Sequence, residues 1–305
     1  MGQQYCSPMK ISYSSSYARR ILVACLAFVI ILTAGAQDPV RVLVIGAHPD
    51  DPDGDFGGCA ILFSRMGHQV KFLSLTNGDA GHHERGGGDL ARVRMAEAQE
   101  AGRRFGVEYE VLGIHDGELM PTLENRLKVI RAIREWEADM VVTHRPNDYH
   151  PDHRYTSILV QDAAYMVIVP NVAPEVPPMK KNPVFLYCQD YFEKPNPFEP
   201  HIAVDITDVY EQKIYGIAAH ESQFFQWLPW TSGNLDRVPE GEEERLEWLG
   251  NRRYNVPTEE VRDCLVKWYG EKGKSIQKAE AFEICEYGIR PSNEEIRRLF
   301  PMLPQ

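Results

Sequence analysis

The stretch that decides the fold is VRVLVIGAHPDDPDGDFGG, residues 40–58. Its first part, 40–45, is mostly apolar and β-branched, which predicts a strand buried on both faces, as in a parallel sheet. Gly46 ends the apolar run, and the glycine pair at 57–58 begins a segment whose apolar residues recur at helical spacing. The pattern therefore predicts a strand, a polar turn and a helix in succession.

The polar turn carries His48, Asp50 and Asp51. Imidazole nitrogen and carboxylate oxygen are ligands that suit Zn²⁺, and a catalytic zinc needs three protein ligands and an open position. The alternative is a simple helix cap, because Asp is favoured at the N-cap and Pro in the first turn. This stretch alone leaves both interpretations open.

A second polar cluster, YHPDH at 149–153, follows another apolar run at 140–142. In open parallel sheets, ligands bind outside the carboxyl ends of the strands, so clusters that follow two strands can meet in one crevice. The two clusters together therefore predict a metal site.

Strand-like and helix-like segments alternate along the chain, which is typical of a parallel sheet with helices on its faces. We therefore predict an α/β, Rossmann-like three-layer fold with a mostly parallel sheet. Further strands are predicted at 69–75, 109–114, 140–142, 184–188 and 202–206, and helices at 90–105, 123–136 (with Thr122 as N-cap) and 209–220.

The composition shifts towards charged residues after residue 233. Apolar residues recur there at helical spacing, which predicts a C-terminal helical extension, 234–305, after an α/β domain at 37–233. The predicted helices of the extension are 240–253, 258–269, 276–287 and 293–300.

Residues 1–36 have the pattern of a secretory signal peptide. Basic residues precede an apolar run at 21–35, and small residues lead to a cleavage site before Gln37. We therefore expect an exported protein, periplasmic or extracellular, with no membrane span in the mature chain. The alternative is an uncleaved anchor, although the run is short of the about 20 residues that a span needs.

Charge and cysteine usage exclude several classes of protein. A formal net charge of −11 argues against nucleic acid as a partner, because such binding draws on clustered Lys and Arg. No CxxC pair is present for a thiolate zinc site, and Gly46 does not begin the G-x-G-x-x-G of a dinucleotide site. Export permits a disulfide, for which Cys264–Cys285 in the C-terminal segment is the favoured pair, and the sequence leaves open whether it forms.

Together these features resemble the LmbE-like, or PIG-L, family of zinc-dependent N-deacetylases. The resemblance runs in order from about residue 40 to 225. It rests on AHPDD at 47–51, GG at 57–58, MGHQVKFLSLTNGDAG at 66–81, Arg94-x-x-Glu97, LGIHDGEL at 112–119, HPDH at 150–153 and VDITDVYEQKIYGIAAHESQF at 204–224. It implies an LmbE-like fold and a metal-dependent hydrolase of linear amide C–N bonds.

The resemblance also implies roles for single residues. His48, Asp51 and His153 would bind Zn²⁺, in whose place Fe²⁺ or Co²⁺ is acceptable to the same ligands. Asp50 would act as general base on a water molecule. A protonated His150 would stabilise the oxyanion, and either His150 or Asp50 would supply the proton to the leaving amine.

Two further residues receive roles in the same way. Asp152 would orient His150, and Arg94 would reach hydroxyl or phosphate groups of the substrate. The chain departs from the pattern at Asp148, where some relatives have a tyrosine two residues before HPDH. A tyrosine role at the oxyanion, for example by Tyr149, is therefore not implied.

The implied substrate is an N-acetylglucosamine-type sugar or conjugate, contacted by the loop at 77–89 and closed over by Trp227 or Trp230. One alternative is a metal-dependent amidase that acts on a non-sugar N-acyl or thiol conjugate. Another is a catalytically silent carbohydrate-binding protein that uses the aromatic patch at 224–230. The sequence leaves the oligomeric state open.

Overall fold

The computed structural model describes residues 1–2, 38–252 and 254–304. The predicted signal peptide and the alternative anchor lie outside these residues. Residues 40–305 form one compact unit. None of the helices in the described ranges has the length and apolar character that a membrane crossing needs.

Strands and helices alternate from the start of this unit. The strands are β1 (Arg41–Gly46), β2 (Gln69–Thr76), β3 (Glu108–Ile114), β4 (Met140–Thr143), β5 (Val184–Cys188), β6 (Ile202–Asp205) and β7 (Ala279–Ile284). The α-helices are α1 (Asp51–Arg65), α2 (Gly87–Phe105), α3 (Leu123–Trp136), α4 (Pro151–Met166), α5 (Tyr210–Ile217), α6 (Leu228–Thr231), α7 (Glu242–Gly250), α8 (Glu259–Tyr269) and α9 (Asn293–Leu299). Thr122 caps α3 as predicted, because its hydroxyl accepts the N–H of Asn125.

The strands form a seven-stranded sheet in the order β3-β2-β1-β4-β5-β7-β6. The pairs from β3 to β5 are parallel, whereas β7 runs antiparallel to both of its neighbours. This arrangement confirms the predicted mostly parallel α/β fold. β1 and β4 are neighbours at the centre, so their carboxyl ends lie side by side.

The sheet divides the core into two clusters. Val42 and Val44 belong to one cluster and Leu43 and Ile45 to the other, and all four are at most 1% exposed. Successive side chains of a strand point to opposite faces, and helices cover both faces of a parallel sheet. Both faces of β1 are therefore buried, which explains why its apolar run is continuous.

The helix predicted at 276–287 is wrong, because the stretch AEAFEI forms β7. Alanine and glutamate favour helix by intrinsic propensity. β7 instead fills the space between β5 and β6, where its first four residues are buried, and this tertiary context outweighs propensity. The other helices predicted in the extension are present as α7, α8 and α9, and the domain boundary at 233 stays a prediction.

The predicted disulfide between Cys264 and Cys285 is also wrong. Both thiols are free and buried. They belong to the two different core clusters, so the sheet lies between them. The Sγ atom of Cys285 instead accepts a hydrogen bond from the Tyr187 hydroxyl at 3.1 Å.

A buried ion pair joins β7 to α1. Lys213 Nζ, on α5, lies 2.7 Å from Glu280 Oε1, and both side chains are 1% exposed. Lys213 also donates to the carbonyl of Gly54, and the Glu280 carboxylate accepts the N–H groups of Gly58 and Cys59. The pair therefore fixes the helix that follows the polar turn to the last strand of the chain.

We expect Glu280→Ala to lower the free energy of unfolding by about 3–5 kcal/mol, because it leaves the Lys213 ammonium buried and unpaired. Urea unfolding of the purified variant measures the loss. The matched control is Glu271→Ala, whose partner Lys274 is 62% exposed, since an exposed pair contributes little. Equal losses in the two variants would contradict the assignment of Glu280 as a structural anchor.

Candidate active site

The turn after β1 holds α1 close to the end of the strand. A Cβ on Gly46 would lie 2.7 Å from Pro52 Cδ and 2.8 Å from Asp51 Cβ, so only glycine fits there. Asp50 follows with φ of 147°, a conformation that costs strain in a residue other than glycine. This backbone puts the carboxylates of Asp50 and Asp51 at the carboxyl end of β1.

The second polar cluster reaches the same edge of the sheet. β4 pairs in parallel with β1, and α4 begins at Pro151 shortly after β4 ends. His150 caps α4, since its Nδ1 accepts the N–H of Asp152 at 3.2 Å. The two clusters therefore meet in one crevice, as the strand order predicts.

Three of the predicted ligand atoms converge on one point. His48 Nδ1 and His153 Nε2 are 3.2 Å apart. Asp51 Oδ2 lies 3.3 Å from the first nitrogen and 3.5 Å from the second. Ligand atoms at zinc-bond distance from a tetrahedral centre lie about 3.4 Å from one another. The spacing of the three donors therefore fits a single small cation.

The far nitrogens of both imidazoles face carboxylates. His48 Nε2 lies 3.1 Å from Asp116 Oδ1, and His153 Nδ1 lies 3.1 Å from Asp148 Oδ2. Carboxylates accept only, so when each far nitrogen carries a proton, the near nitrogens are free to bind a cation. Such outer carboxylates are typical of metal-binding histidines. The donor set thus fits a metal, while the assignment of His48, Asp51 and His153 as ligands stays a prediction.

The electrostatics of the cluster favour positive charge. Although burial acts in the opposite direction, His153 and His48 hold the pKa of Asp51 well below its ordinary value. Burial lowers the pKa of His48, but Asp51 and Asp116 outweigh burial and raise this pKa well above its ordinary value. A cation that binds here displaces a proton, so its affinity should rise with pH.

His144 is a residue of the site that the sequence motifs missed. It directly follows β4, is buried, and stacks on His153 with the ring centroids 4.2 Å apart. Its Nε2 lies 3.3 Å from Asp51 Oδ2 and accepts the N–H of Ala47. Burial and His153 lower the pKa of His144, which keeps this imidazole neutral. The sequence signal that could have identified His144 is its position directly after a predicted strand.

The Asp152 carboxylate contacts His48 in the structure. It accepts the backbone N–H groups of Gly117 and Leu119, and its Oδ2 lies 3.4 Å from His48 Nε2. The side chain therefore orients His48, one of the predicted ligands. The backbone N–H of Asp152 donates to the His150 ring, and the role of the Asp152 side chain towards His150 stays a prediction.

Arg94 lies beneath Asp50, with 2% of its surface exposed. Its Nη2 donates to Asp50 Oδ1 at 2.5 Å and to the carbonyl of Pro49 at 2.7 Å. Nη1 donates to the side chain of Gln223. These contacts use both terminal nitrogens of the guanidinium, and the contact of Arg94 with substrate stays a prediction.

A buried polar layer lies behind this arginine. Asp53 accepts from the Tyr109 hydroxyl at 2.8 Å and lies 3.0 Å from His220 Nε2. Glu97 accepts from both the N–H and the hydroxyl of Ser222. The motifs Arg94-x-x-Glu97 and His220-x-Ser222-Gln223 therefore support the turn from below.

Two effects set the state of His150. Burial, together with His48 and His153, lowers its pKa. Its Nδ1 accepts the N–H of Asp152, so the neutral ring carries its proton on Nε2. The expectation of a protonated His150 is therefore not supported, but Nε2 remains a hydrogen-bond donor.

The aromatic patch at 224–230 is partly a stack. The Trp230 ring lies 5.3 Å from the Trp227 ring and 5.2 Å from the His83 ring, nearly parallel to both. His83 in turn stacks on His82, whose Nε2 lies 2.9 Å from Gln226 Oε1. Trp230 nevertheless remains 48% exposed. The stack holds the loop at 77–89 and leaves part of this ring accessible.

We expect Asp148→Asn to weaken metal binding by about 10- to 100-fold. A carboxylate only accepts and so fixes the His153 tautomer, whereas an amide can either accept or donate at the same nitrogen. Competition with a chelator measures the affinity, and His153→Ala should abolish binding in the same assay. Asp162→Asn, on the exposed face of α4, is the control. Unchanged affinity in both site variants would refute the centre.

Burial and Asp51 raise the pKa of Asp55 to about 7. An unfolded Asp titrates at about 3.9, so between these values the folded chain keeps a proton that the unfolded chain loses. The stabilisation that this proton contributes is therefore present below pH 4 and lost as the pH rises towards 7. In metal-free protein, we expect Asp55→Asn to become more stable than wild type across this window. The side chain is 31% exposed, which reduces the effect.

Urea midpoints of wild type and variant at several pH values between 4 and 8 measure this difference. A difference that does not change with pH would contradict the role of the Asp55 charge. Asp162→Asn again serves as the control.

Comparison with known proteins extends these findings. The GlcNAc-PI de-N-acetylase (PIG-L) family model matches residues 43–164. The diacetylchitobiose deacetylase of Thermococcus kodakarensis is 32% identical over 207 residues, which cover 64% of this chain and 74% of the relative. The probable N-acetyl-alpha-D-glucosaminyl L-malate deacetylase 2 of Bacillus cereus is 23% identical over 220 residues, 68% of this chain and 94% of the relative.

A solved structure agrees over almost the whole chain. The N,N'-diacetylchitobiose deacetylase from Pyrococcus horikoshii matches with a TM-score of 0.61 and 26% identity, covering 94% of this chain and 99% of the other. Sequence, fold and the convergence of the donor atoms lead to the same conclusion. The chain belongs to the PIG-L, or LmbE-like, family of de-N-acetylases.

Proposed function

We propose that the protein is a metal-dependent N-deacetylase that removes the acetyl group from an N-acetylglucosamine-type sugar or conjugate. The observation that carries this proposal is the convergence of His48, Asp51 and His153 beside the carboxylate of Asp50. Relatives named for diacetylchitobiose and for an N-acetylglucosaminyl malate support the sugar assignment.

The three donors would hold Zn²⁺, with Fe²⁺ or Co²⁺ as alternatives. When bound, such an ion lowers the pKa of a water molecule and polarises a carbonyl oxygen. Asp50 then accepts the proton of the attacking water as general base. Arg94 keeps the carboxylate in place, and burial raises the pKa of Asp50, so that it can both take and return a proton.

The remaining steps use groups of this chain. The Nε2–H of His150 donates to the oxygen that gains negative charge as water attacks the amide carbon. The amide C–N bond breaks, and protonated Asp50 gives its proton to the leaving amine. The products are acetate and a free amino sugar.

Two other functions fit parts of the molecule less well. A silent carbohydrate-binding protein would leave the convergence of His48, Asp51 and His153 beside Asp50 unexplained. An amidase for non-sugar N-acyl or thiol conjugates uses the same centre and differs only in the substrate. Export by the leader, which would bring the enzyme to wall or glycan fragments, is part of the proposal.

We expect Asp50→Asn to keep the metal and to lower kcat by about 10²-fold or more, because the amide cannot act as a base. Metal content and acetate release are measured on the same preparation. Asp162→Asn should leave both unchanged. Loss of metal along with activity would instead make Asp50 a ligand.

The function itself is tested by an acetate-release screen of the zinc-loaded protein. The substrates are N-acetylglucosamine, chito-oligosaccharides, wall fragments, and N-acyl amino-acid and thiol conjugates. We expect turnover of the sugar amides. Turnover confined to the non-sugar amides would overturn the sugar assignment and leave the metal-amidase assignment intact.

A further inference from the structure

The segment between β5 and β6, residues 189–201, begins beside the candidate active site. Its residues Gln189 and Tyr191 line a cavity of about 290 Å³, together with Asp50 and Asp51. Tyr191 is 75% exposed, whereas large aromatic side chains usually bury most of their area in packing. Packing therefore does not explain why a tyrosine stands next to the proposed general base.

Arg145, two residues after β4, holds this segment in place. Its side chain is 4% exposed. Nη1 donates to Asp190 Oδ1 at 2.7 Å and to the Phe192 carbonyl at 3.2 Å, and Nη2 donates to the Asn196 carbonyl at 2.7 Å. Asp190 and Phe192 flank Tyr191 in the chain. Arg145 thus fixes the backbone on both sides of the exposed tyrosine.

Gln189 and Tyr191 offer polar groups to a ligand. Within residues 38–252 and 254–304, neither side chain forms a hydrogen bond. A side-chain amide both donates and accepts, as does a phenol. The apolar residues of the cavity suit either end of an N-acyl sugar, so these two polar side chains decide between the ends.

A sugar ring matches this pair of side chains better than an acyl chain does. Its hydroxyl groups pair with an amide, and the C–H groups on its face pack against an aromatic ring. An alkyl chain would cover the amide of Gln189 and leave it without a partner, which costs free energy. The start of the segment therefore suits the sugar end of the substrate.

We propose that Gln189 and Tyr191 bind the sugar ring of the substrate, Gln189 by hydrogen bonds to hydroxyl groups and Tyr191 by stacking on one face. Arg145 is the positioning residue that holds both in place. The inference rests on the proposed deacetylase function and assigns residues to its sugar-binding part. Gln189 and Tyr191 lie outside every motif on which the family resemblance rests, so the resemblance gives them no role.

Inhibition by the two products tests this assignment, because the amine product carries only the sugar end and acetate only the acyl end. Both inhibition constants are measured with zinc-loaded wild type and Tyr191→Ala, on the best sugar amide of the acetate-release screen. Loss of an aromatic stacking contact weakens binding by about two- to tenfold. We expect KM and the inhibition constant of the amine to rise by this factor. Nearly unchanged values are expected for kcat and for the inhibition constant of acetate.

Three further variants and a control localise the effect. Gln189→Ala should raise the same two constants, and Tyr191→Phe, which keeps the ring, should retain most of the affinity. Arg145→Lys should act like Tyr191→Ala, because an ammonium cannot replace the planar guanidinium fork. Tyr165→Ala removes a tyrosine that is 64% exposed on α4 and should change neither constant. Zinc content is measured for every variant and should equal that of wild type.

The other outcomes would overturn the proposal. A higher inhibition constant for acetate, with an unchanged constant for the amine, would place the acyl group at Tyr191. Equal rises in both constants, or loss of zinc from Tyr191→Ala, would show general damage to the site. Unchanged constants in both alanine variants would show that neither side chain binds substrate. If wild type releases acetate from no sugar amide, the proposed function itself fails, which is a separate result.

Discussion

The contact between Arg94 and the backbone turn at Pro49–Asp50 is the interaction on which the site depends. Asp50 has a positive φ, a conformation whose cost for such a residue is about 1–3 kcal/mol. Arg94 offsets this cost by bonding the Pro49 carbonyl and the Asp50 carboxylate at once. The same turn begins α1 and so directs the Asp51 carboxylate at His48 and His153. The strain at Asp50 and the position of the Asp51 carboxylate thus depend on one contact.

The electrostatic design of the crevice follows from its surplus of carboxylates. Asp51, Asp116 and Asp148 all contact imidazoles of the cluster, and each has a pKa below its ordinary value despite burial. Arg94 is buried beneath Asp50 and does not contact the donor trio. A cation bound at this cluster would balance charge as well as perform chemistry, and folding stability would then be linked to metal content.

The sequence was sufficient for the features that local patterns control. The strand, turn and helix at 40–65, the Thr122 cap and the meeting of the two polar clusters all follow from periodicity and from the rule on strand ends. β7 was not predictable, because an Ala- and Glu-rich stretch becomes a strand only between two strands that already exist. The place of Arg94 was hidden for a related reason. Nothing near it in the chain indicates that Asp50, at a sequence separation of 44, rests on its guanidinium.

The position of β7 between β5 and β6 also sets the order in which the molecule can be completed. A nascent chain can pair its first five strands early, since each lies beside a strand already made. β6 must then wait, because it pairs with the last strand to be synthesised. Until that strand arrives, β5 is an open, apolar edge, which is the kind of surface that promotes aggregation. β7 thus covers the open edge of β5 as well as completing the sheet.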